Sequence, residues 1–99
     1  MKKTTIELQH FNGCPNSPIL IERVKEVISD FENIEYNEVI VDSNEKAAEV
    51  KFRGSPTLLI NGEDFEGQQE PEESALMCRY YPHGLPTTEE IKQRINNAH

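Results

Sequence analysis

The stretch Phe11-Asn12-Gly13-Cys14-Pro15-Asn16-Ser17-Pro18 decides how the chain is read. Before it, Thr4 to Phe11 alternates, with Ile6, Leu8 and His10 on one face and Glu7 and Gln9 on the other, the period of a half-buried strand. After it, Leu20, Val24, Val27, Ile28 and Phe31 recur at helical spacing and trace one face of a helix that ends by Asn33. Ser17 followed by Pro18 fits an N-cap and a first helical position. Cys14 therefore stands where a strand turns into a helix. A helix N-terminus carries about half a unit of positive charge and unpaired N–H groups, and both favour thiolate over thiol. Gly13-Cys14-Pro15 at that entrance predicts an exposed, activated sulfur, as against the inert buried cysteine of an ordinary core.

Downstream, Ile34 to Asp42 is rich in β-branched residues and reads as a second strand, more buried toward Val39-Ile40-Val41. Ser43 or Asn44 caps a short helix through Lys51. Gly54-Ser55-Pro56 leads into the strand Thr57-Leu58-Leu59-Ile60. Asn61-Gly62 is then a two-residue hairpin turn, because both residues accept positive φ, and Glu63 to Glu66 returns. Gly67 to Pro86 loses periodicity, and Ser74 to Tyr81 is its one candidate helix. Thr87 and Glu90 form a capping box, and Ile91 and Ile95 give the stripe of a final helix. The order β-α-β-α-β-β-α makes this an α/β chain. It calls for a mixed four-stranded sheet, parallel across the crossovers and antiparallel at the hairpin, with helices on both faces.

A length of 99 residues makes a single domain over 1–99, and 35% apolar residues without Trp make its core thin. Eighteen acidic against ten basic residues, a net charge of −8, would repel a phosphate backbone, so nucleic acid is not an expected partner. Polar Thr4-Thr5 and Glu7 interrupt the apolar run a signal peptide needs, and no segment reaches membrane-spanning length. The expectation is a cytoplasmic protein with no membrane partner. Two cysteines in such a chain are expected reduced, which makes reactivity a better question than stapling.

Three features now coincide: a strand feeding Cys14-Pro15-Asn16-Ser17, Ser55-Pro56 before a hairpin strand, and a capped closing helix. Together they resemble the thioredoxin-like superfamily over nearly the whole chain. The resemblance implies a cis Pro56 lying against the active-site cysteine. It also implies a substrate groove shaped by Ser55, Pro56 and Pro15, where backbone groups pair with an extended thiol substrate as an added strand. Ser17 stands where dithiol members carry their second cysteine. A hydroxyl can hydrogen-bond a thiolate but cannot attack a mixed disulfide. The resemblance thus implies a monothiol thiol–disulfide oxidoreductase without a cofactor. Cys14 is its nucleophile, Ser17 its neighbour, and glutathione, another protein or Cys78 the resolving thiol. Its partner is a thiol or disulfide, on a small molecule or a protein.

Cys14 and Cys78 are sixty-four positions apart, a spacing similar to that in the thioredoxin-like unit of organomercurial (alkylmercury) lyases, which have an aspartate where Ser17 stands. That implies an alternative, an alkylmercury-lyase-like or soft-metal-binding protein in which Cys14 and Cys78 act as paired thiols. Cys78 follows Ala75-Leu76-Met77 and precedes Arg79-Tyr80-Tyr81. Either it is a loop residue under aromatic side chains, or it returns to Cys14, where Arg79 would support a thiolate. A disulfide between them needs Cα atoms within ~7 Å. Zinc on Cys14, Cys78 and His10 or His83 is not expected without a close cysteine pair, and His10 reads as a core side chain. A third reading is a non-catalytic binding module, supported by Ser17. The run Glu70 to Glu73 reads as a solvated loop.

Overall fold

The computed structural model describes residues 3–11, 14–69, 76–79, 81 and 84–98, except the side chain of Ala98. Alternation along β1 (Thr4–His10) turns Ile6 and Leu8 to one side, where both are fully buried. The helical period of α1 (Asn16–Ile28) lays Leu20, Val24 and Val27 over them. β2 (Ile34–Ile40) pairs parallel to β1, from Thr4 opposite Ile34 to His10 opposite Ile40. β3 (Thr57–Ile60) pairs antiparallel to the other side of β1, and β4 (Glu63–Asp64) closes the hairpin. The sheet order is β2-β1-β3-β4. Leu58 and Ile60 of β3, with Ile91 and Ile95 of α3 (Thr88–Ala98), complete the main core. α2 (Asn44–Val50) covers the opposite face: Ala47 joins Val41 and Phe52 in a second cluster, against which Val39, on the alternate face of β2, also packs. The mixed sheet with helices on both faces is the architecture read from the element order.

Local signals account for the element ends. Ser43 Oγ accepts the Lys46 N–H at the start of α2, and Lys51, left-handed at φ 54°, ends it. Asn61 and Gly62 turn the hairpin at φ 53° and 83°. At α3 the capping box is reciprocal: Glu90 N–H donates to Thr87 Oγ1 and Thr87 N–H donates to Glu90 Oε1, both at 3.1 Å.

Three expectations are corrected. Helix α1 starts at Asn16 with Pro15 in the cap position and no side-chain cap, so Ser17 lies inside the first turn and points inward. The ring of Pro15 presets a helical φ of −65°, which moves the start ahead of Ser17. Burial near the end of the second strand holds on one face only: Val39 packs toward α2 and Val41, just past β2, is fully buried, whereas Ile40 is not covered. Strand β2 forms the sheet edge, and Ile40 is 55% exposed. Residues 76–79 of the candidate helix over Ser74 to Tyr81 are not helical, because Cys78 forms a parallel bridge with Ser55. Residues 70–75, Tyr80 and His83, with the acidic run among them, lie outside the described residues.

Candidate functional site

Cys14 is carried to the end of the sheet by β1 and stands two residues before α1. Ser55 stands two residues before β3, and the Ser55–Pro56 peptide is cis. Ser55 uses its backbone on a remote part of the chain. Its N–H donates to Met77 O at 2.8 Å, and Arg79 N–H donates to Ser55 O at 2.9 Å. Residues 77–79 thus lie along Ser55 as a one-bridge strand. That pairing places the Cys78 Cα 5.8 Å from that of Cys14, and the two sulfurs form a disulfide. The backbone positions expected to receive an extended substrate are therefore filled by the chain's own Cys78 segment.

The burial of the two cysteines differs from the expected arrangement. Cys14 is only 4% exposed, whereas Cys78 is exposed. The expectation of an exposed Cys14 sulfur at the strand-to-helix turn is thus corrected: the sulfur is bonded to Cys78 and the residue is buried. Beside Cys14 opens a cavity of about 360 Å³ bordered by Phe11, Ser17, Pro18 and Ile21. Its walls are mainly apolar, and His10 and Glu22 add polar groups.

Ser17 approaches Ser55, with the two hydroxyl oxygens 2.7 Å apart, and Phe11 N–H donates to Ser55 Oγ at 3.1 Å. Ser55 thereby ties together the end of β1, the first turn of α1 and the Cys78 segment. Nothing local in the sequence links positions 17 and 55, so the serine pair carries no sequence signal. Pro15 is exposed next to Cys14, and Pro56 is buried. Pro56 O accepts a hydrogen bond from the Tyr81 hydroxyl. Burial pushes the Tyr81 hydroxyl up to about 12. His10 Nε2 lies 3.9 Å from Glu38 and has no hydrogen-bond partner among the described residues. Among those residues no three His, Cys, Asp or Glu side chains converge as a metal-holding group.

Arg79 is also corrected. It does not turn to the sulfurs but forks onto Asp64, with Nη1 to Oδ2 at 2.7 Å and Nη2 to Oδ1 at 2.9 Å. Arg53 Nε adds a cation 3.7 Å from the same carboxylate, and the N–H groups of Glu66 and Gln68 donate to Oδ1. The guanidinium also lies 4.9 Å from the ring centre of Tyr81. Gly54, at φ 106°, allows this approach: a Cβ there would stand 2.8 Å from Arg79 Cβ. Asp64 belongs to no motif in the sequence. The available signal was its place in a returning strand, opposite buried Leu59, where an unpaired carboxylate would be costly.

Burial alone would raise the Asp64 carboxyl. The Arg79 hydrogen bonds and charge, with the two backbone N–H donors, outweigh it and hold the group below its ordinary 3.8. A lowered folded-state value means that Asp64 contributes its stability in full above 3.8. The contribution drains as pH falls from there through the lower folded value. Urea titrations from neutral pH down to about pH 2 should therefore show a shallower acid loss of stability in Asp64→Asn than in the native protein. Equal slopes would show that the pair does not hold in solution.

No protein-family model and no curated protein matches the chain. Among solved structures it is similar to a thioredoxin-like protein from Bacillus cereus ATCC 10987. That match has 17% identity over 98% of this chain and 90% of the other, with a TM-score of 0.56. At that identity the likeness is one of fold.

Proposed function

We propose, on the premise of a thioredoxin-like fold, that this chain is a cytoplasmic thiol–disulfide oxidoreductase whose redox pair is Cys14 and Cys78. The observation that carries the reading is the disulfide itself, which joins the cysteine before α1 to one sixty-four positions away, at the fold's strand-to-helix turn. In a reducing compartment a disulfide is more often transient and catalytic than structural.

In the dithiol form the Cys14 thiolate, favoured by the first turn of α1, attacks one sulfur of a substrate disulfide. One substrate thiolate leaves, and Cys14 is held in a mixed disulfide. The Cys78 thiolate then attacks the Cys14 sulfur, the second substrate thiolate leaves, and the Cys14–Cys78 bond forms. Two electrons have passed from the protein thiols to the substrate. Return to the dithiol form starts at the exposed Cys78, where a reductant thiolate displaces Cys14; a second thiolate takes the adduct and frees Cys78. Ser17 and Ser55 hold the first turn of α1 against the Cys78 segment, and the apolar cavity beside Cys14 would receive the body of the substrate. A helix start favours Cys14 as the leaving thiolate, since lower-pKa thiols leave faster.

Incubation in buffers of graded glutathione to glutathione disulfide ratio, followed by acid quenching, alkylation and mass measurement, tests this. The expected result is reversible interchange of dithiol and Cys14–Cys78 disulfide with no lasting glutathione adduct. A disulfide that does not respond to the ratio would make the pair a staple and remove the reading.

A further inference from the structure

Cys78 meets Cys14 only while residues 77–79 lie along Ser55, and two backbone hydrogen bonds alone would hold so short a segment weakly. The neighbour of Cys78 supplies a stronger hold. Arg79 makes a bidentate pair with Asp64, and only 5% and 2% of the two side chains are exposed. The carboxylate has supports of its own: β4 pairs Asp64 with Leu59, and the N–H groups of Glu66 and Gln68 fix Oδ1. None of these supports involves a cysteine. Asp64 is thus in place on the β3–β4 hairpin whether or not the disulfide exists, ready to receive Arg79 against Gly54.

We propose that Asp64 is a positioning residue for the thiol–disulfide exchange: through Arg79 it holds Cys78 within reach of Cys14 and so sets the equilibrium of the pair. The inference rests on the exchange reading above. Asp64 touches neither sulfur and takes no part in the electron balance, in which two protein thiols reduce one glutathione disulfide to two glutathiones. It acts on local concentration. In the dithiol form only non-covalent contacts keep the Cys78 thiol at Cys14, and each contact that docks the segment raises the effective concentration of one sulfur at the other. By reciprocity the disulfide and the Arg79–Asp64 pair stabilise each other by the same amount. A pair that stabilised both redox forms equally would leave the equilibrium unmoved.

The full chain and its Asp64→Asn and Arg79→Lys variants are compared in glutathione redox buffers at neutral pH, with oxidised fractions read by alkylation and mass. Asp64→Asn should lower the equilibrium constant for disulfide formation by about 10- to 100-fold. Arg79→Lys keeps the charge and loses the fork, so its constant should fall between. Circular dichroism of the reduced variants checks that they are folded, and if Asp64→Asn is not, Arg79→Lys alone decides. Constants within about twofold of the native value in the folded variants, with a native pair that does equilibrate, overturn the proposal alone. A native pair that does not equilibrate overturns the exchange reading and the proposal with it.

Discussion

Cys78→Ser should turn a protein that releases its substrate into one that retains it. Under the proposed exchange, Cys14 of that variant would still attack a disulfide, but the sulfur that would complete exchange from 5.8 Å away, Cα to Cα, is gone. An intramolecular thiol outcompetes an external one because its translational and rotational freedom is already restricted. With glutathione as the remaining resolving thiol, multiple turnover of a disulfide substrate should fall by at least about 100-fold. A substrate adduct on Cys14 should accumulate, visible by intact mass and absent from Cys14→Ser. Unimpaired turnover in Cys78→Ser would mean that an outside thiol resolves Cys14, which is the monothiol chemistry that Cys14-Pro15-Asn16-Ser17 suggests on its own.

Reduction should also weaken the fold substantially. A cross-link over sixty-four positions removes loop-closure entropy from the unfolded chain, which the chain-entropy relation puts at about 4 kcal/mol. Domains of this size are stable by roughly 5 to 15 kcal/mol, so the loss is a large part of the total. Urea unfolding of oxidised protein, reduced protein and the Cys14→Ser/Cys78→Ser double variant measures it. The reduced protein and the double variant should agree, both well below the oxidised form. A difference under about 1 kcal/mol would show that the unfolded chain is already constrained by residual structure. The contacts of Arg79 and Tyr81 should keep part of the 77–79 segment docked after reduction, the state from which the proposed exchange would have Cys78 resolve.

The two experiments separate a catalytic pair from a structural one. A staple would show the stability loss without adduct trapping. A working pair shows both, because the geometry that lets Cys78 resolve Cys14 also closes the loop.

Much of the architecture was legible because its signals are local. The alternation of Ile6 and Leu8, the helical stripe from Leu20 to Val27, the Asn61-Gly62 turn and the Thr87–Glu90 capping box each lie within one or two turns of chain. Near neighbours dictate such geometry, so no knowledge of the rest is needed. The errors arose where local preference competed with something else. Pro15 outranked Ser17 as the start of α1, and in the β-branched run Val39-Ile40-Val41 the sheet edge leaves Ile40 exposed while Val41 is buried, although the composition suits a strand buried on both faces.

Around Cys14 local signals no longer suffice. By itself the sequence determined that a cysteine sits at a strand-to-helix turn, that Ser55-Pro56 precedes the hairpin strand, and that no second cysteine lies in the first turn of α1. Only the tertiary structure decided that Cys78 reaches Cys14, that Ser17 meets Ser55, and that Arg79 turns from the sulfurs to Asp64. The physical reason is that each of these contacts depends on the sheet order β2-β1-β3-β4. That order sets the end of β1 beside the start of β3 and leaves β4 outside them, where the chain returning from the hairpin can lie along Ser55. Propensity acts between neighbours in sequence, whereas the site is built between neighbours in space.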